Sequence, residues 1–133
     1  MTVRIVLDAS AAANIVMRTE TATQLIDKLE KAALVIAPEL FHSEVANTMW
    51  KYVRIGDLNT SEAIDRYQEA IGLIDTFETD KGLITEALSS ACRYSHPVYD
   101  LLYAVLALRY GCSILSKDKK LITLLKKMYI DLA

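Results

Sequence analysis

The chain has 133 residues, the size of one ordinary domain that buries about two-thirds of its unfolded surface on folding. Hydrophobic residues make up 53% and charged residues 24%, with four Gly and two Pro, which excludes a disordered chain and predicts a single fold over residues 1–133. Fifteen basic against seventeen acidic side chains give a net charge of −2, so nucleic-acid binding through overall charge is excluded and such a substrate needs a local basic patch. The longest apolar run, Leu101 to Leu108, is far short of the roughly 20 residues of a membrane span. Met1-Thr2-Val3-Arg4 enters a strand with no leader pattern, so a cytoplasmic protein without membrane contact is expected. Cys92 and Cys112 have no metal-ligand spacing and read as buried thiols.

Val3 to Leu7 is a β-branched and aliphatic run, the pattern of a strand covered on both faces. Helical spacing follows from Ala11, breaks near Thr19 to Thr23, and resumes through Gln24 to Glu30. Leu34 to Ala37 is a second buried strand, after which Pro38 is expected to open a helix at its first position. Leu40, Val45, Met49 and Val53 give that helix one apolar face, and Gly56 ends it. Asn59 with Glu62 forms a capping signature, and Ile64, Tyr67, Ile71, Ile74 and Phe77 continue at helical spacing, so two helices form a hairpin. A further helix runs from about Asp80 to Tyr94. Ser95-His96-Pro97 interrupts it before Val98 to Tyr110, which Gly111 terminates. Cys112 to Ser116 reads as the third strand, Lys119 to Lys127 as an amphipathic helix, and Tyr129 to Leu132 as a short edge strand. Strands alternating with helices predict an α/β fold, a small parallel sheet surrounded by helices in three layers.

Asp8 and Asp118 fall just beyond the carboxyl ends of buried strands, the edge where open α/β sheets bind ligands. Each also reads as a helix N-cap, and Asp100, in the first turn after Pro97, also suits the helix dipole. Glu44 has no Lys or Arg four residues on, and its helical neighbours are Leu40, Phe41 and Asn47. If the four acids converge, their repulsion raises their pKa values unless a divalent cation compensates. Oxygen-only ligation suits Mg²⁺ or Mn²⁺, and such an ion assists phosphodiester hydrolysis.

In Val6-Leu7-Asp8-Ala9-Ser10, Pro38-Glu39-Leu40 through Glu44-Val45-Ala46-Asn47, Tyr99-Asp100-Leu101 through Ala107, and Ser116-Lys117-Asp118-Lys119-Lys120-Leu121, the chain resembles PIN-domain ribonucleases of the VapC toxin type. The likeness covers almost the full length. It implies an acidic pocket for Mg²⁺ or Mn²⁺, endoribonuclease activity on RNA, and a cognate VapB-type antitoxin. By position it implies Asp8 and Asp100 as principal metal ligands, Glu44 as a ligand or water-positioning acid, and Asp118 as the fourth acid. Ser10 and Ser116 match hydroxyls that steady these acids, Ser116 standing where the family often has threonine.

Lys119 and Lys120 lie near the acids and are candidate RNA-phosphate contacts, whereas Lys126 and Lys127 read as a solvated helix face. His42 reads as a partly exposed helix residue and His96 as a turn or cap residue. Trp50, Tyr52, Tyr67 and Tyr103 read as core or interface packing, and a homodimer is expected. Three rival readings stand beside the toxin: a PIN nuclease of RNA processing, a phosphoacceptor signalling domain, and a silent interaction module whose acids are all caps. The signalling rival fits poorly, because Asp8 stands alone after the first strand and the second ends in Pro38-Glu39.

Overall fold

Four short strands pair in parallel in the order β3-β2-β1-β4, with β1 at Arg4–Leu7, β2 at Leu34–Pro38, β3 at Thr76–Glu78 and β4 at Ser113–Leu115. The computed structural model describes residues 3–133, so the reading of Met1 and Thr2 lies outside the described residues. The register pairs Ile5 with Val35 and with Ser113, and Ile36 with Thr76. Among the described residues seven helices connect and cover the strands: α1 Ala9–Val16, α2 Ala22–Glu30, α3 Leu40–Arg54, α4 Thr60–Ile71, α5 Asp80–Tyr94, α6 Val98–Tyr110 and α7 Lys119–Lys127. None of the described helices is long and apolar enough to cross a membrane.

Side-chain alternation along the strands divides the interior into two cores. Ile5, Leu7, Val35, Ala37 and Leu115 pack with Phe41, Val45 and Met49 on the α1 to α4 side. Val6, Ile36 and Ile114 pack with Leu83, Leu101, Leu121 and Leu125 on the α5 to α7 side. Helix α6 is buried continuously from Leu101 to Ala107, and truncating such a leucine to alanine costs about 2–5 kcal/mol. That packing holds the first turn of α6, with Asp100, in a fixed place beside the sheet.

Four expectations need correction. Pro38 closes β2 and pairs with Glu78, and α3 begins at Leu40. Its missing N–H is tolerated at the strand end, where the next amide, Glu39 N–H, donates to the Glu78 carbonyl at 2.9 Å. Helix α4 stops at Ile71, and Phe77 belongs to β3 rather than to the helix. Tyr129 to Leu132 supplies only an isolated bridge between Leu132 and Ile114. Cys112 is buried as expected, but Cys92 is exposed on α5.

Candidate active site

The sheet changes winding direction at β1, since β2 and β3 extend to one side and β4 lies on the other. The crevice between the carboxyl ends of β1 and β4 is therefore the topological switch point, where α/β sheets receive ligands. Asp8 follows β1 there and Ser116 follows β4, stitched together by Asp8 N–H donating to the Leu115 carbonyl at 3.1 Å.

Asp8 caps α1 by accepting a short hydrogen bond from Ser10 N–H. Its other oxygen accepts from the Ser10 hydroxyl at 3.0 Å and, at close range, from the Ser116 hydroxyl. Those hydroxyls accept in turn from Lys117 N–H at 2.9 Å and Asp118 N–H at 3.0 Å, so the loop after β4 is tied to the acid after β1. Asp118 caps α7, taking Lys120 N–H at 2.8 Å and Leu121 N–H at 3.3 Å on one oxygen. Glu44, in the second turn of α3, accepts from the Tyr103 hydroxyl of α6 at 2.6 Å. Asp100 accepts from His96 Nε2 at 2.6 Å. The cap and site readings of Asp8 and Asp118 thus hold together: one carboxylate does both.

All four acids line a single polar cavity of about 250 Å³, together with Ser10, Asn47, Lys51 and Tyr103. Asp8 is 5% exposed and, among the described residues, is the one charged side chain that is fully buried. Burial raises its pKa from 3.8 to about 6 against the lowering effect of the serine hydrogen bonds. Burial likewise raises Glu44 to about 7; the Tyr103 hydroxyl opposes this, while the charges of Asp8, Asp100 and Asp118 add to it. The Tyr103 hydroxyl itself is pushed well above 10 by burial and the neighbouring acids.

Oxygen donors alone, and negative charge that burial makes costly, fit a hard divalent cation. Among the described residues, however, no three acids, histidines or cysteines are grouped as a ready-made metal cage. Each carboxylate instead rests on a donor from the protein, namely a serine, Tyr103, His96 or the α7 backbone. That arrangement suits an ion that takes one or two carboxylates directly and retains waters.

Ser10 stands in the acid cavity, and Ser116 bonds Asp8 from beside it. Lys119 and Lys120 lie outside it, in an adjoining cavity whose wall they share with the exposed Lys127. Sequence reasoning left Tyr103, His96 and Lys51 without roles in the site. Helical spacing could have placed Tyr103, three residues after Asp100 on α6, and Lys51, seven after Glu44 on α3, near the acids, though not the bonds they make; His96 precedes α6 and carries no such signal.

The sequence matches the PIN domain family over residues 5–127, and the chain belongs to that family. It is 28% identical over 120 residues to Ribonuclease VapC3 of Pyrobaculum aerophilum, covering 89% of this chain and 92% of that one. Among solved structures, PAE2754 from Pyrobaculum aerophilum superposes with a TM-score of 0.72 at 21% identity, covering 91% of this chain and 78% of the other. VapC20 of Mycobacterium tuberculosis, described as a sarcin-ricin loop cleaving toxin, superposes with a TM-score of 0.61 at 16% identity, over 90% of this chain and 93% of the other. The two superpositions establish the shared fold.

Proposed function

We propose that this protein is a divalent-metal-dependent endoribonuclease, using Mg²⁺ or Mn²⁺, and the toxin half of a VapBC-type toxin–antitoxin pair. The observation that carries the reading is the convergence of Asp8, Glu44, Asp100 and Asp118 from four separate elements on one cavity at the switch point. Asp8 and Asp100 are the principal metal ligands, with Glu44 and Asp118 completing the acidic set. The bound cation supplies Lewis-acid stabilisation of charge on the phosphodiester and lowers the pKa of water. Glu44, with a pKa of about 7, is suited to take the proton from the attacking water near neutral pH. Tyr103 fixes the carboxylate that does so, and the Ser10 and Ser116 hydroxyls fix Asp8. Lys51, with no ion pair among the described residues, is placed to meet a phosphate oxygen.

The antitoxin partner fits the apolar groove between α3 and α4, about 320 Å³, where Met49, Trp50, Val53, Ile64 and Tyr67 offer an amphipathic segment a dry face. Trp50 and Ile64 are about half exposed there. Ile84 and Leu88 on α5 and Leu108 on α6 leave a second exposed apolar surface that supports a homodimer contact.

Cleavage of single-stranded RNA by purified protein tests the reading. Activity with Mg²⁺ or Mn²⁺, its loss on chelation, and its loss in folded Asp100→Asn are expected; full activity in that variant across a metal titration refutes the ligand role. A PIN nuclease of RNA processing would use the same acids. Growth arrest on expression, relieved by the neighbouring small gene, separates toxin from processing enzyme.

A further inference from the structure

Asp100 is shared between two cavities. One is the acid pocket; the other, about 440 Å³, opens between the α5–α6 junction and α7, within the size range of small-ligand sites. Tyr94 and Pro97 form one side, with His96 bonded to Asp100 at the border. Lys119, Lys120 and Lys127 project from α7, and Lys120, Thr123 and Lys127 recur at spacings of three and four, so they share a helix face.

One observation marks this wall as more than a solvated surface. Lys119 and Lys120 begin α7 just after its Asp118 cap, and none of Lys119, Lys120 and Lys127 is ion-paired among the described residues. Three cations on one cavity wall with no internal partner suit an external anion. Cations on one side and an aromatic ring on the other match the two halves of a nucleotide, its phosphate and its base.

We propose that this cavity is a nucleotide subsite, in which a nucleotide adjacent to the scissile bond places its base against Tyr94 and its phosphate between Lys120 and Lys127. The inference rests on the nuclease reading and extends it: the RNA strand leaves the acid pocket across Asp100 and enters the basic cavity. Lys51 lies in the acid pocket and not here, so contacts at the scissile phosphate and at this subsite can be changed independently.

The test is fluorescence anisotropy with a labelled single-stranded oligoribonucleotide in chelator, so that binding is read without cleavage. The double variant Lys120→Ala/Lys127→Ala is expected to bind about tenfold more weakly at low salt, with the slope of log K against log salt reduced by about 0.7, the value for one phosphate contact on a single strand. Tyr94→Leu should weaken binding while Tyr94→Phe, which keeps the ring, should not. Lys31→Ala on α2's far end is the control, and melting curves check folding. Affinity and slope equal to wild type in the double variant would overturn the proposal, as would equal displacement of RNA by polyglutamate, which shows charge attraction without a nucleotide site. Wild-type cleavage with KM unchanged in the double variant sinks the subsite and leaves the nuclease intact. Cavity-dependent RNA binding without any cleavage in Mg²⁺ or Mn²⁺ sinks the nuclease and leaves the subsite.

Discussion

Replacing Asp8 with asparagine should abolish cleavage and, in metal-free protein, make the fold more stable. The carboxyl is 5% exposed, and burial lifts its pKa from 3.8 to about 6. The folded state therefore holds the proton more tightly than the unfolded chain. Between about pH 4 and pH 6 stability falls as pH rises, and above pH 6 the full cost of the buried charge, about 3 kcal/mol, is present. Asparagine keeps the volume and an acceptor for Ser10 N–H, and its amide can donate to the Ser10 and Ser116 hydroxyls, which now accept. Some charge-assisted hydrogen bonding is lost, so the net gain at pH 8 should be about 1–3 kcal/mol. With an unfolding entropy of about 2.1 cal/mol/K per residue, that is a Tm increase of roughly 4–10 °C. Thermal melts by circular dichroism in chelator, at pH 8 and pH 4, measure it. No gain at pH 8, or the same gain at both pH values, would refute the view that an uncompensated buried carboxylate stores this energy.

Tyr103→Phe removes the hydroxyl that holds the Glu44 pKa down, so carboxyl NMR of the metal-free protein should show Glu44 titrating near 7 in wild type and higher in the variant. An unmoved titration would mean that this hydrogen bond does not tune the acid. Mn²⁺ should raise the wild-type Tm more at pH 8 than at pH 5, because the ligands must ionise to hold the cation. That difference should shrink in Asp8→Asn, and a pH-independent shift would place the metal elsewhere.

Helices α5, α6 and α7 were legible to the residue because local chemistry bounds them. Thr79 caps α5 by accepting from Gly82 N–H, Ser95 and Gly111 take left-handed backbone at the ends of α5 and α6, and Asp118 caps α7. Strand β3 was not legible, since three residues carry too short a period to outweigh the helical spacing of Ile74 and Phe77. Its place is set by distant partners, including Asp75, which accepts from Val35 N–H at 2.8 Å and leads into the pairing with β2. Asp8, Asp100 and Asp118 were visible because strand ends and helix starts announce themselves, and Glu44 because no basic residue stands four positions on in its helix. Their donors were not: the tie from Tyr103 to Glu44 spans 59 residues and that from Ser116 to Asp8 spans 108, and no local pattern encodes such a contact.

Because β4 closes the sheet against β1 from across nearly the whole sequence, the order of synthesis governs when chemistry can begin. A chain still being translated can assemble α1 to α4 on β1 and β2, as polypeptides fold from the N-terminus outward. Until residues 113–118 emerge from the ribosome, Asp8 lacks the Ser116 hydroxyl and the Leu115 carbonyl, and Asp118 does not yet exist. Stalled or prematurely terminated products lack the Ser116 and Asp118 side of the acid cavity. The acid cavity is therefore completed only when the last strand is released and pairs with the first.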